Sequence, residues 1–382
     1  MGKIISYKTY PYQKHLLGFL STSKKGHSNH KRNRVMSSHT APAYTERTVP
    51  FVTDDGVELN LIHVRGDKTP DKGPVILVHG AGVRANIYRA PVETSIVDVL
   101  IREGYDVWLE NWRGSIVFAP NLWTLDQVAL YDHPKAVQTI LAETGESRLK
   151  AIIHCQGSTS FMMSAIAGLV PEVTTIISNA VSLHPVVPDW SKFKLQYMVP
   201  LVRQMTQYLN PHWGVEAPGV VAKLISLLVN LTHHECNNAV CKQVSFTYGS
   251  GFPALWRHEN LNEQTHEWLK EEFGAVPLRF FQQITRCVQR GHLVSFENFP
   301  VLPKDYAAQE PLTEARFAFF SGEKNLCFLP QSQIQSFNYF NALRPDYHSL
   351  HLLPEYGHLD VFMGKNAAVD TFPLIIAELN KS

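Results

Sequence analysis

Between Pro74 and His79 the chain reads Val-Ile-Leu-Val, four apolar residues with nothing polar among them. A strand with one wet face alternates polar and apolar side chains, whereas a strand covered on both faces reads as a continuous apolar run. The segment therefore demands a sheet with helices packed on both sides. The rest of the sequence agrees. Candidate strands at Tyr105 to Glu110, Ala151 to His154, Val173 to Ser178, Ala315 to Phe320 and His348 to Leu353 alternate with helical patterns such as Phe161 to Leu169. Such alternation predicts a mostly parallel sheet of α/β type. Thr48 to Thr53 and Glu58 to Val64 flank Asp54-Asp55-Gly56 and read as an opening hairpin. A helix over about Ala367 to Leu379 closes the chain.

At 382 residues the chain exceeds the usual single core. From about Leu183 to Thr313 the strand–helix rhythm stops, and helix-like stretches (Val220 to Leu231, Asn262 to Phe273) replace it. A structureless loop of that length is implausible in a compact domain, so an inserted helical cap is expected. The division is then 1–45 as a tail, 46–183 as the first part of an α/β core, 184–313 as the cap and 314–382 as the second part of the core. The tail has no Asp or Glu before Glu46, and Lys24, Lys25, Lys31, Arg32 and Arg34 cluster within it. It reads as a solvated, poorly ordered arm without a secretory signal. Met1-Gly2 with Ser6 fits the loose myristoylation pattern, so peripheral membrane contact stays open, as does an authentic start at Met36.

A net charge of +1 gives no electrostatic case for binding nucleic acid. No run of about 20 apolar residues predicts an integral membrane segment. Five cysteines, an odd number, do not make a disulfide framework, and a reducing, cytoplasmic setting is expected.

The chemistry concentrates where Ile152-Ile-His-Cys155-Gln-Gly157-Ser158 ends a strand and begins a helix. In a strand–turn–helix elbow a nucleophile occupies a strained backbone conformation that lifts its side chain above the sheet, and glycines two residues either side relieve crowding. Gly157 is present, but Ile153 replaces the preceding glycine. A buried cysteine at a strand end is also a common apolar filler. Context favours the nucleophile. The strand ending in His79-Gly80-Ala81-Gly82 has the turn that supplies an oxyanion donor, which makes the backbone N–H groups of Ala81 and Gln156 the candidate pair. No G-x-G-x-x-G or P-loop pattern supports a phosphate-binding reading, and no cofactor is implied. Tyr356-Gly357-His358 follows the last strand, which makes His358 the candidate base.

The third member is the anomaly. After the strand Ala315 to Phe320, the turn Ser321-Gly322-Glu323-Lys324-Asn325 carries Asn325 where an acid is expected, with Glu323 as the alternative. Behind a serine nucleophile such a change costs about 10⁴ in turnover. A thiol ionises more easily, so the third residue need only orient the imidazole.

These segments resemble the α/β-hydrolase superfamily from about Thr48 onward, and most of all its acid-lipase-like branch. The carriers are Val78 to Gly82, Glu110-Asn-Trp-Arg-Gly-Ser115, Trp123-Thr-Leu-Asp126 through Tyr131-Asp-His-Pro134, the elbow at Cys155 and the Gly357-His358 turn. His154 to Ser158, Cys236-Asn-Asn-Ala-Val-Cys241 and Arg257 to Asn262 are also similar to hydrolase-like regions fused to bacterial cholesterol-oxidase-type proteins. The resemblance implies a hydrophobic acyl, lipid or sterol ester as substrate. The leading expectation is an ester or thioester hydrolase or acyltransferase with a cysteine nucleophile. The competing one is an impaired hydrolase-fold protein that binds a lipid or protein.

Several residues compete for attention. His233, His234, Cys236 and Cys241 could form half a zinc site, but no second pair stands at motif spacing, so no metal is expected. Asp132 reads as a helix cap, Ser158 as another, and Arg113 as one side of a structural salt bridge.

Overall fold

The computed structural model describes residues 44–381, so the basic tail and its lipidation motif lie outside the described residues. Among the described residues ten strands occur in chain order: β1 (Thr45–Val52), β2 (Glu58–Arg65), β3 (Pro74–Val78), β4 (Asp106–Asn111), β5 (Leu149–His154), β6 (Val173–Asn179), β7 (Tyr208–Leu209), β8 (Val276–Pro277), β9 (Arg316–Gly322) and β10 (Ser349–Leu353). Eight of them form one sheet in the order β1-β2-β4-β3-β5-β6-β9-β10, while β7 and β8 pair separately. β2 runs antiparallel to both its neighbours, β1 and β4, at one edge, and every other pairing in the large sheet is parallel. The uninterrupted apolar run of β3 lies at the middle of this sheet with every residue buried, as a strand covered on both faces must be.

Between β6 and β9 the chain is mainly helical. The elements include Gly219–Thr232, Ala239–Tyr248, Glu263–Trp268 and Leu278–Arg290. Polar clamps fasten this segment to the sheet. Asp126 accepts the backbone N–H groups of Phe296 and Glu297, both at 2.6 Å, and a 3.0 Å bond from the Gln283 amide. Arg84, just beyond the β3 turn, grips the buried carboxylate of Glu272 with two guanidinium nitrogens. Arg113 joins Asp55 of the hairpin turn to Asp132, so the opening hairpin is pinned to the helix His133–Thr144.

Three local expectations need correction. Asp132 makes no capping bond; its carboxylate instead accepts the Arg113 backbone N–H at 2.9 Å and pairs with that guanidinium. A buried ion pair outweighs a cap worth about 1 kcal/mol, because an unpaired buried Arg113 costs several times more. Ser158 bonds Ser178 across to β6 at 2.8 Å rather than capping its own helix. The closing helix is split into Ala367–Asp370 and Phe372–Leu379, with Pro373 at the start of the second piece, where its missing N–H is harmless.

Candidate active site

Cys155 is the first residue of the helix Cys155–Ile166 and follows β5 directly. Its φ is +56°, in the left-handed region that side-chain-bearing residues rarely occupy. That strain, of order 1–3 kcal/mol, persists only where the surroundings over-determine it. They do so here by close approach. A Cβ on Gly157 would sit 2.3 Å from the His79 carbonyl, and one on Gly80 would sit 2.9 Å from the Cys155 Cβ. Ile153, which stands where the motif has glycine, is fully buried between Val78 of β3 and Ser178 of β6. One glycine in the elbow and one in the facing turn thus suffice for the conformation.

The sequence-assigned residues converge from four segments. A ring nitrogen of His358 and one of His154 lie within 4.8 Å of the Cys155 sulfur and of each other. The Nε2 of His358 is buried and has no hydrogen-bond partner. On the far side of the ring, Asn325 Nδ2 donates to His358 Nδ1 at 3.1 Å. Glu323 is exposed to solvent, whereas Asn325 is buried. The two turns are forced together, since a Cβ on Gly322 would meet the Gly357 carbonyl at 2.1 Å. Gln156 lies in the first helical turn, where backbone N–H groups have no intrahelical acceptor. Ala81 follows Gly80 in the turn facing the thiol, and its carbonyl accepts from Tyr248.

The direction of the Asn325 amide was not readable from sequence. Its Oδ1 accepts the backbone N–H groups of Cys327 and Phe328 at 3.0 and 3.1 Å. Rotating the amide to offer oxygen to His358 would forfeit both bonds, each worth about 1 kcal/mol, and leave two buried donors facing an NH₂. The His358 Nδ1 is therefore an acceptor, and the neutral ring carries its proton on Nε2, toward the cysteine.

A second thiol escaped the sequence reading. Cys327, two residues beyond Asn325, stands beside Cys155 at hydrogen-bonding reach. Burial opposes ionisation of Cys155. Yet the Cys327 thiol, the His358 ring and the Gln156 N–H together hold its pKa well below the ordinary cysteine value. Cys327 itself is pushed well above it by burial and by its neighbour. The signal that could have found it was the C-terminal continuation of the Asn325 turn.

A cavity of about 300 Å³ opens from Cys155 and Gln156 into the cap. Its walls are apolar, among them Leu195, Val199, Leu224, Phe246, Phe280 and Phe281. The charged residue of that lining, Lys194, spends its ammonium on the carbonyls of Phe246 and Gly249, and burial lowers its pKa to about 8. Leu201 and Leu224 of this lining are more than half exposed, as are Trp190, Tyr197 and Leu231 on the adjoining stretches of chain, so the exposed surface there is apolar too. His233 and His234 do not join Cys236 and Cys241; their rings bond Thr232 and the Leu231 carbonyl.

No family model matches the chain. Human lipase member K is 25% identical over 391 aligned residues, which span 92% of each chain. Sterol esterase 2 of Saccharomyces cerevisiae is 24% identical over 35% of this chain and 30% of its own length. Rat gastric triacylglycerol lipase is 30% identical over 36% and 39% respectively. Among solved structures, a monoglyceride lipase variant from Saccharomyces cerevisiae superposes with a TM-score of 0.55 at 15% identity, covering 90% of this chain and 96% of that one. An esterase from Thermogutta terrifontis gives 0.53 at 14% identity, covering 88% and 98%. The fold is the α/β-hydrolase fold: a mostly parallel eight-stranded sheet with flanking helices.

Proposed function

We propose that this α/β-hydrolase-fold chain cleaves or transfers a hydrophobic acyl group from an ester or thioester, with Cys155 as nucleophile. The observation that carries the reading is the strained Cys155, at φ +56°, at the floor of an apolar cavity with His358 beside it. The lipases and the sterol esterase among its relatives support a lipid ester substrate. The sterol esterase among the relatives keeps sterol esters within the class. The exposed apolar surface by the cavity suits substrate delivered from a lipid surface, and none of the described helices is long and apolar enough to cross a membrane. All five cysteines are free, which suits a reducing compartment, and a cytoplasmic location is part of the proposal.

Asn325 determines how such a site would work. With the amide donating to Nδ1, the His358 lone pair facing the thiol is absent, and the ring is a donor rather than a base. Cys155 then acts as the thiolate that its surroundings favour. It attacks the acyl carbon, the carbonyl oxygen gathers charge toward the N–H groups of Ala81 and Gln156, and a thioester to Cys155 forms as the leaving group departs. With an amide N–H rather than a carboxylate on Nδ1, nothing holds a second proton on the ring to give to a departing group, so substrates whose leaving group departs as a stable anion are favoured. Thioesters and aryl esters meet that condition better than alkyl esters.

The test is direct. The protein is incubated with p-nitrophenyl esters and acyl thioesters of increasing chain length, and the intact mass of the chain is followed. An acyl adduct on Cys155, absent after alkylation and in Cys155→Ala, is expected. Turnover that survives both treatments would sink the nucleophile. No adduct and no turnover with any of them would favour a protein that only binds its lipid.

A further inference from the structure

The cap holds a second cluster of soft donors that the proposed chemistry does not use. Cys236 lies in the loop after the helix Gly219–Thr232, and Cys241 in the first turns of Ala239–Tyr248. His258 opens the short turn His258–Asn260, and His266 lies on Glu263–Trp268. One potential ligand atom from each of the four falls within 4.8 Å of all the others. Cys241 Sγ and His258 Nε2 are 3.4 Å apart, and the Cys236 thiol has Cys241, His258 and His266 as its neighbours. The Nε2 of His266 is buried without a hydrogen-bond partner, and its ring meets that of His258 edge-on at 4.9 Å.

We infer that Cys236, Cys241, His258 and His266 form a structural zinc site. Tetrahedral zinc holds sulfur at about 2.3 Å and nitrogen at about 2.0 Å, which spaces its ligands roughly 3.3–3.8 Å apart. The 3.4 Å pair has that spacing already, and the other three-way proximities are compatible with it. Two thiolates and two imidazoles form a neutral complex with zinc and complete its shell, the mark of a structural rather than a catalytic site. The outer contacts are those such a site needs. Asn238 accepts the N–H groups of Val240 and Cys241 at 3.0 and 3.1 Å and donates to the His266 carbonyl at 2.6 Å, so one side chain braces two of the ligand-bearing segments. The buried indole N–H of Trp256 has no hydrogen-bond partner and lies beside the Cys241 sulfur. Hydrogen bonds alone leave the His266 nitrogen orphaned, which buried polar atoms rarely are.

The position gives the metal a consequence. The segment that carries His258 also holds the His358 turn: the Leu255 carbonyl accepts from His358 and Leu359 backbone N–H at 3.1 and 2.8 Å. Asp360 accepts from Arg257 and Asn260, while its other oxygen accepts the Gly357 N–H at 2.8 Å. The helix that carries Cys241 ends at Tyr248, whose hydroxyl bonds the Ala81 carbonyl. Zinc at this place would lock the cap against both the His358 turn and the turn opposite the thiol.

The experiment measures metal in the full chain, purified under reducing conditions without chelator. About one zinc per chain is expected. It should persist in Cys155→Ser, which excludes the His154–Cys155–His358 group as its holder, and disappear in Cys241→Ser and His266→Ala. Cobalt substitution of the wild type should give the intense visible bands of a tetrahedral thiolate site, a readout that needs no variant to fold. Wild-type protein that holds no zinc, even after dialysis against it, would overturn the site. So would a Cys236–Cys241 disulfide, located by peptide mapping of protein whose free thiols are blocked at lysis.

Discussion

His133 and His358 each face a polar partner on each side of the ring, and the partners differ in one decisive way. His133 receives the Glu110 carboxylate on Nδ1, at 2.9 and 3.0 Å, and Ser160 Oγ on Nε2 at 2.8 Å. His358 receives the Asn325 amide on Nδ1 and has Cys155 near the other side of its ring. Acid, imidazole and hydroxyl follow one another in the first group as they do in a hydrolytic triad. Yet Glu110, His133 and Ser160 are completely buried, and none of them belongs to the cavity wall. Ser160 also has the Gln156 carbonyl at 3.0 Å to take its proton. The complete-looking set is a brace between β4 and two helices, and the incomplete one has the pocket. Hydrogen-bond order is therefore a weak guide to function here, and access is the stronger one.

The largest expected effect comes from deleting each nucleophile candidate in turn. Cys155→Ala should reduce acyl-enzyme formation and turnover by at least about 10³-fold, as loss of a covalent nucleophile does. Ser160→Ala should leave both within about threefold in the protein that folds. A reversal of the two would exchange the roles of the braces and the site.

Next is the exchange of partners. Asn325→Asp keeps an oxygen for the Cys327 and Phe328 N–H groups and gives His358 the acceptor that His133 already has. The ring can then carry its proton on Nδ1 and act as a base on Nε2. Turnover of alkyl esters should rise at least about tenfold, with the gain bounded by the roughly 10⁴ seen for such a change behind serine. The ratio of aryl to alkyl ester rates should fall with it. Unchanged kinetics would show that proton transfer through His358 does not limit the reaction.

Glu110→Gln tests the brace. It keeps an acceptor oxygen for His133 Nδ1 but exchanges the carboxylate for an amide, and should cost about 1–3 kcal/mol of stability, measured by denaturant midpoint, with the turnover of folded enzyme largely preserved. A loss of turnover without a loss of stability would move the group from brace to machinery.

What the sequence disclosed and what it hid follow from the same physics. The apolar run of β3 and the turn after β5 are local signals, legible because burial on two faces and a cramped elbow leave a mark on consecutive residues. The position of Asn325 was legible as well. Its direction was not, because the backbone N–H groups of Cys327 and Phe328 orient it, and a backbone donor carries no residue code. Asp132 was misread as a cap because Arg113, its partner, lies nineteen residues away. Cys236 and Cys241 were paired with the adjacent His233 and His234, while the fold brings His258 and His266 instead. Sequence spacing finds soft donors that share one hairpin or helix, not those gathered from four segments of a cap.

The smallest effect concerns imidazoles that have no carboxylate at all. His79 is fully buried with its Nδ1 on the Gly80 carbonyl, and burial lowers its pKa to about 3. In the unfolded chain it would take a proton below about 6.5. Between those values the unfolded state binds more protons than the native one, so stability falls as pH drops, by at most about 1.4 kcal/mol per unit for such a group. His184 and His348, held down to about 4 chiefly by burial, act in the same direction. Asp360 opposes them. Burial raises its pKa to about 6, so between about 4 and 6 the native state holds a proton that the unfolded state has lost, and acidification stabilises it. The net slope of stability against pH from 6.5 to 4 should be positive but softened. Asp360→Asn, which removes the titrating carboxyl and keeps an oxygen for the Gly357 N–H or the Arg257 N–H but not both, should make it steeper. A slope that is flat in the wild type and unchanged in the variant would mean that the buried histidines are protonated in the native state, and the contrast between paired and unpaired imidazoles would lose its basis.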